Sequence, residues 1–88
     1  MFYVYVLQSV KDSELYVGST NDLKRRLDEH TNGRVESTNH RQPLRLVYYE
    51  AYNAEGDARR REQNLKLRGQ ARTQLRRRIE ESLRQSQS

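Results

Sequence analysis

The sequence predicts a small α/β (α+β) domain in which helices flank a three-stranded antiparallel sheet, with the elements in the order ββαβαα. Val, Leu and Tyr are concentrated in three short segments, residues 2–8, 14–18 and 44–52, and this composition is typical of β-strands. The other long segments carry helix-capping residues and apolar residues at helical spacing. Because three strands need packing partners to form a stable sheet, we expect the two later helices to pack on it.

The length and composition indicate one folded domain. The chain has 88 residues, of which 33% are hydrophobic, and so low an apolar content raises intrinsic disorder as an alternative. The clustering of the apolar residues in strand-like segments argues against that alternative. We therefore expect a single domain at residues 1–84, followed by a frayed polar tail at residues 85–88.

The first two strands form a hairpin in this interpretation. The mainly polar residues 9–13 separate them, and a connection of a few residues is usual in a β-hairpin. With a loop of about four residues, Tyr5 and Tyr16 lie opposite each other, which places two phenols side by side on one face of the sheet. Pro43 then ends a polar loop just before the third strand.

Three helices complete the prediction. Thr20 or Asn21 can cap the first helix, at residues 22–32, and Gly33 ends it. In the second helix, for which the residues from Asn53 onward are favourable, four residues share one face: Ala54, Ala58, Glu62 and Leu65. Gly69 marks a break, and the last helix has apolar residues at spacings of four: Leu75, Ile79 and Leu83.

The positive charge is concentrated in one part of the chain. Residues 59–84 contain ten Lys/Arg and three Asp/Glu, a net charge of +7, whereas the rest contains seven and nine, a net charge of −2. Such a concentration on a small domain is typical of proteins that bind nucleic acid. The alternative is that these cations belong to solvated helix surfaces.

The composition also excludes several kinds of site. The chain has no cysteine, which excludes disulfides, thiolate zinc sites and a thiol nucleophile. No stretch approaches the roughly 18 apolar residues of a membrane span, and no signal-peptide pattern precedes the first strand. We therefore expect a cytoplasmic protein without a membrane partner.

Two charged residues occupy apolar stripes of their helices. Arg26 lies on the stripe of Leu23, Leu27 and His30, and a guanidinium at the margin of a core needs an anion or several acceptors. Glu62 interrupts the apolar face of the second helix in the same way. Either the two form a structural ion pair with each other, or they belong to a site that binds a metal ion and phosphate.

Two short segments resemble the GIY-YIG nuclease signature. Val4-Tyr5 stands in place of the first half and Tyr16-Val17-Gly18 in place of the second, and residues 16–30 resemble the family's core nearly position for position. The resemblance covers approximately residues 2–67. Small single-domain proteins of the UPF0213 or YhbQ-like group are the most similar in layout. The first motif has Tyr3 where the family has glycine, and no asparagine follows Glu62 at the distance usual in the family.

The resemblance implies hydrolysis of a DNA phosphodiester bond with a divalent ion, Mg²⁺ or Mn²⁺ as a substitute, held by Glu62. It implies that Tyr5 helps to deprotonate the attacking water, for which nearby cations matter because a phenol is a poor base at neutral pH. It further implies that Tyr16 positions the water or phosphate, that Arg26 neutralises charge on the phosphoryl oxygens, and that His30 supports it. An endonuclease acting in DNA repair or processing is expected, structure-selective or weakly sequence-selective.

Other polar residues receive simpler interpretations. We expect contacts with the nucleic-acid backbone from five cations, with two further ones as additional candidates: Lys24, Arg25, Arg34, Lys66 and Arg68, then Arg41 and Arg72. Tyrosines in strands usually pack and hydrogen-bond, so four are interpreted as structural: Tyr3, Tyr48, Tyr49 and Tyr52. His40 is interpreted as a surface residue.

Three alternatives to a nuclease that acts through water remain at this point. The chain can be a non-catalytic nucleic-acid-binding module with the same fold. It can be a structural protein that docks onto a partner through its last helix. It can also cleave through a covalent tyrosyl-phosphate intermediate.

Overall fold

The computed structural model describes residues 1–85 and contains the predicted three-stranded antiparallel sheet. The strands are β1 (Phe2–Ser9), β2 (Leu15–Thr20) and β3 (Leu44–Tyr52), in the order β2-β1-β3. The helices are α1 (Leu23–Thr31), α2 (Glu55–Leu67), α3 (Gly69–Arg78) and α4 (Glu80–Gln85), with a short 3₁₀ turn at Asn39–Arg41. The α+β class and the order of elements are therefore confirmed, while residues 86–88 of the expected tail lie outside the described residues.

The last predicted helix is in fact two helices. The chain leaves helical geometry at Ile79, whose φ and ψ are −112° and 27°, although Ile79 remains buried in the core. The break before α3 falls at Arg68, which is extended with φ −111° and ψ 113°. Gly69, the expected break, is instead the first residue of α3.

No helix within residues 1–85 has both the length and the apolar character needed to cross a membrane.

Helices cover both faces of the sheet. Successive side chains of a strand point to opposite faces, so Val4 and Val6 lie on one face and Tyr5 on the other. The first face packs against α2, α3 and the chain after them, in a core of Val4, Val6, Ala58, Leu65, Leu75 and Ile79. On the other face, Tyr5 contacts His30 of α1. Since β2 is an edge strand, residues from both faces can meet around it.

The hairpin has a different register from the one predicted. Tyr5 pairs with Gly18, and Tyr16 pairs with Leu7, so the two tyrosines are diagonal neighbours rather than opposite each other. The cause is that β1 continues through Ser9, whose backbone N–H donates to Glu14 O at 3.0 Å. Its hydroxyl also accepts hydrogen bonds from the N–H groups of the turn. Both phenols nevertheless remain on the same side of the sheet.

Candidate active site

A cavity of about 440 Å³ lies beside β2, the edge strand of the sheet. The five residues proposed for catalysis line this one cavity although they come from four elements: Tyr5, Tyr16, Arg26, His30 and Glu62. Tyr5 approaches from the face of the sheet that carries α1, and Glu62 approaches from the face that carries α2. The structure thus brings together all five side chains that the sequence singled out.

Gly18 allows the central tyrosine to reach this cavity. Tyr5 and Gly18 are cross-strand partners, and the phenol of Tyr5 lies directly over the glycine. A Cβ atom at position 18 would overlap the hydroxyl and ring of Tyr5. The glycine is therefore required by a close approach of a side chain to backbone.

Tyr5, His30 and Thr38 form a buried hydrogen-bonded chain. The Tyr5 hydroxyl lies 2.9 Å from His30 Nε2, and Thr38 Oγ1 lies 2.8 Å from His30 Nδ1. All three residues are at most 5% exposed. Burial lowers the pKa of His30, and the neighbouring Arg26 guanidinium lowers it further, so the imidazole is neutral at pH 7. A neutral imidazole accepts at one nitrogen and donates at the other.

Arg26 connects this chain to the open cavity. Its Nε donates to the Tyr5 hydroxyl oxygen at 3.4 Å, and its Nη1 donates to Glu29 Oε1 at 3.3 Å. The hydrogen bond to Tyr5 raises the pKa of Arg26 more than burial lowers it. In the tautomer of His30 that carries its proton on Nδ1, the Tyr5 hydroxyl donates to Nε2 while it accepts from Arg26.

Glu62 has its own partners on the other side of the cavity. Ser19 Oγ donates to Glu62 Oε1 at 2.6 Å, and Lys66 Nζ donates to Oε2 at 2.6 Å. Burial raises the pKa of Glu62, but the hydrogen bonds from Lys66 and Ser19 outweigh it and leave the pKa below its usual value. The ion pair between Arg26 and Glu62 that we considered as the structural alternative is not formed.

The donor set around Glu62 suits one kind of metal ion. Within residues 1–85, no three His, Asp or Glu side chains are close enough together to hold a metal ion between them. A single carboxylate, with the Ser19 hydroxyl beside it and an open cavity in front, fits Mg²⁺, because this ion retains several of its waters. The residues present are therefore compatible with a magnesium ion held mainly by solvent and substrate.

The predicted backbone-contacting cations are distributed unevenly around the cavity. Lys66 lines the cavity. The other four are exposed and do not line it: Lys24, Arg25, Arg34 and Arg68. Of the two additional candidates, Arg72 lines the cavity, whereas Arg41 donates to Asp12 at 2.7 Å.

Sequence reasoning missed two residues of the site. Thr38 lies in the polar loop after α1, and nothing in its composition distinguishes it from neighbouring polar residues. Ser19 follows the second motif directly, and its position next to Gly18 could have drawn attention to it. His40, interpreted as a surface residue, is exposed.

The tyrosines interpreted as structural make structural contacts. Tyr48 and Tyr52 both donate to the carboxylate of Glu50, to which Arg61 also donates. Tyr3, in the place of the motif's glycine, packs edge-to-face on the ring of the partly exposed Tyr49, with centroids 6.1 Å apart.

Comparison with known proteins identifies the family of the chain. Residues 1–77 match the GIY-YIG catalytic domain family. The chain belongs to the GIY-YIG family and, within it, to the UPF0213 group. The family is one of nucleases, which points to nucleic acid as the substrate.

The similar proteins cover most of the chain. This chain is 44% identical over 61 residues to the UPF0213 protein SAG0778 of Streptococcus agalactiae. The aligned segment covers 68% of this chain and 68% of that one. This chain is 42% identical over 67 residues to the UPF0213 protein CPE1444 of Clostridium perfringens, covering 75% of this chain and 71% of that one. The solution NMR structure of the UPF0213 protein BH0048 from Bacillus halodurans has a TM-score of 0.54 at 37% identity, covering 85% of this chain and 82% of that one.

Proposed function

We propose that this protein is a metal-dependent nuclease that hydrolyses DNA phosphodiester bonds. The supporting observation is that Arg26 and Glu62 line one cavity without neutralising each other, while Tyr5 and His30 form a hydrogen-bonded pair beside them. The cavity thus offers a cationic group, an anionic group and a base to one bound phosphate. Each charge pairs with a neighbour on its own helix, Arg26 with Glu29 and Glu62 with Lys66, so the two charged groups line the cavity without contacting each other.

The pair of Tyr5 and His30 is the proposed base. Hydrolysis removes one proton from the attacking water and supplies one to the leaving oxygen. His30 is neutral and can accept the phenol proton at Nε2, so that Tyr5 can in turn accept the proton of the water. Thr38, which lies within hydrogen-bond distance of Nδ1, holds the ring in the orientation that this transfer needs.

Arg26 and Tyr16 are proposed to bind the phosphate. Arg26 keeps part of its guanidinium toward the cavity, where it stabilises the negative charge that develops on the phosphoryl oxygens. Tyr16 lines the same cavity and orients the water or a phosphate oxygen. β2 carries Tyr16 and α1 carries Arg26.

Mg²⁺ is the proposed metal ion, with Mn²⁺ as a substitute, and Glu62 is the residue that would hold it, assisted by Ser19. When bound, such an ion stabilises negative charge on the oxygen atoms of the phosphate. The Lys66 ammonium, which donates to Glu62, would then be free to contact the nucleic acid.

DNA is the proposed substrate class, cleaved internally and with structure selectivity or weak sequence selectivity. The support is that three cations line the cavity, Arg26, Lys66 and Arg72, because Lys and Arg side chains contact phosphates without reading bases. The proposed role is DNA repair or processing, and the proposed location is the cytoplasm.

A panel of nucleic acids tests the proposal. Purified protein is incubated with duplex, single-stranded, flapped and branched DNA and with RNA, in Mg²⁺, Mn²⁺ or EDTA. We expect cleavage of at least one DNA that requires the divalent ion. Tyr5→Phe and Glu62→Gln should each abolish cleavage while binding persists, and cleavage that survived both substitutions would contradict the assigned site. Protein-linked DNA after denaturation would instead indicate a tyrosyl-phosphate intermediate.

One observation favours a second candidate, a non-catalytic nucleic-acid-binding module. Lys66 and Ser19 already satisfy both oxygens of Glu62, and a carboxylate so occupied can be purely structural. This candidate predicts binding that weakens steeply with salt and no cleavage with any divalent ion across the whole panel.

A further inference from the structure

We propose that the nucleic-acid strand that enters the cavity continues along α3, with its phosphates on Arg72 and Arg76. This inference rests on nucleic acid as the substrate but not on cleavage. It assigns a direction to the bound strand, away from Tyr5 and toward the turn between β1 and β2. It also assigns binding to a helix that carries no residue of the five-residue catalytic set.

Three neighbouring concavities are linked by these two arginines. The cavity that contains Glu62 and Tyr5 shares Arg72 with a second concavity beside β2 and α3. The second shares Arg76 with a third, which reaches Ser13 in the β1–β2 turn. A polymer that leaves the catalytic cavity along α3 therefore meets a cation at each boundary.

The two arginines lie on the same face of α3. Residues four apart on a helix are neighbours, separated by about 6 Å along its axis. Arg72 is held in place because its Nη1 donates to the backbone oxygen of Lys66, at the end of α2. Its remaining N–H groups are left to line the cavity, so the guanidinium is already oriented for a phosphate before binding.

The charge on α3 is uncompensated, in contrast to α1. Within Gly69–Arg78 there are four arginines and no acidic residue: Arg72, Arg76, Arg77 and Arg78. In α1 and its N-cap, three cations are balanced by three carboxylates. Two carboxylates border the route: Glu80 of the third concavity pairs with Arg84, and Glu14 lines the second. The net attraction for a polyanion is thus greatest along α3.

A protein partner fits this helix less well. The apolar residues of α3 and of the break after it, Leu75 and Ile79, are only 3% and 6% exposed and belong to the core. What α3 presents to solvent is therefore mainly arginine and polar side chains. A partner that docks by burying apolar surface would find little of it here.

Salt-dependent binding provides the first test. Binding of a fluorescein-labelled single-stranded DNA of about 20 nucleotides is measured in EDTA, so that cleavage plays no part. Arg76→Gln is expected to reduce the slope of log K against log salt by about 0.7, the value of one single-strand phosphate contact. The matched control is Arg60→Gln, which removes an exposed cation that pairs with Asp57 on α2. It should leave the slope nearly unchanged.

Equal effects of the two substitutions would overturn the proposal, because they would indicate a general effect of net charge. Absence of any DNA or RNA binding by the wild-type protein would overturn it as well. If Arg76→Gln weakens binding and no substrate of the panel is cleaved, the route along α3 stands while the nuclease proposal fails.

Crosslinking tests the position of the strand independently of charge. Since the chain contains no cysteine, a single introduced cysteine can carry a photocrosslinker without a background reaction. Thr73→Cys places it in the third concavity, and Arg60→Cys places it on α2. Crosslinking to labelled DNA should be efficient from position 73 and weak from position 60. The reverse result would place the strand on another surface.

Discussion

Two edges of the same sheet carry similar residues with opposite consequences. At the β3 edge, Glu50 accepts hydrogen bonds from Tyr48, Tyr52 and Arg61. At the β2 edge, the same residue types surround a cavity, but the arginine and the glutamate bind different partners. In the first cluster the arginine and the glutamate pair with each other, whereas Arg26 and Glu62 pair with Glu29 and Lys66 beside a space that a ligand can fill. Residue types alone therefore do not distinguish a structural cluster from a candidate active site.

The electrostatics of the two edges differ accordingly. Burial raises the pKa of Glu50, but bonds from Arg61, Tyr52 and Tyr48 outweigh it, so the pKa lies below its usual value. Burial, followed by the bond to Glu50, raises the pKa of Tyr52 to about 12. These groups stay in one protonation state near neutral pH. His30 at the β2 edge has a lowered pKa and is the group that remains able to accept a proton.

The strongest test of this comparison replaces each of the two glutamates with glutamine in a separate variant. Glu62→Gln should reduce cleavage at least about 100-fold, as expected for loss of an electrostatic stabiliser, in a protein that remains folded. Glu50→Gln should instead lower the free energy of unfolding by about 1–3 kcal/mol, because bonds to a charged, partly buried group are weakened. Cleavage assays and urea denaturation measure the two effects. The comparison fails if Glu50→Gln abolishes cleavage in a protein that remains folded.

The substitution Gly18→Ala tests the β2 edge alone, through the contact between Gly18 and Tyr5. The added methyl group would overlap the phenol of Tyr5 and move it away from His30. A displacement of about 1 Å at a reacting group can cost roughly 100-fold in rate, so cleavage should fall by about that factor. Gly56→Ala is the matched control, because a Cβ at that exposed position meets no atom within 4 Å. Equal activity of the two variants would show that the approach of Tyr5 to the glycine does not matter.

The smallest expected effect is a pH dependence of stability at the β2 edge. The pKa of His30 in the folded protein lies below its ordinary value of 6.5, so the unfolded chain binds more protons near that pH. Stability should therefore fall as the pH decreases below about 6.5 and stay level above it. Urea midpoints at several pH values, compared with those of His30→Gln, measure the effect. An identical decrease in both proteins between pH 7 and 5.5 would assign it to other groups.

The hairpin shows how far local sequence reasoning reaches. The strand content of residues 2–8 and 14–18 predicted the hairpin correctly, and it also predicted that Tyr5 and Tyr16 lie on the same face. The pairing was wrong because register depends on where the turn closes. Ser9 and Ser13 decide that point, through the hydrogen bonds of the Ser9 hydroxyl and the positive φ of Ser13. Neither feature has a distinct signal in the composition of the turn.

The helices show the same limit. Periodicity placed Arg26 and His30 on one face of α1, and it placed Glu62 on the apolar face of α2. Both placements describe positions within one helix, which the 3.6-residue repeat determines. Whether Arg26 would meet Glu62 depends on the distance between two helices on opposite faces of a sheet. Periodicity carries no information about that distance.

By itself, the sequence determined the class of fold, the faces on which the unusual charged residues lie and the family to which the chain belongs. These depend on local composition, helical repeat and short motifs. Only the tertiary structure decided that Glu62 bonds Ser19 and Lys66 rather than Arg26, that Thr38 lies beside His30, and that Arg72 joins the cavity. Such contacts depend on the order of strands and on which strand forms the edge, because that order determines which distant segments meet.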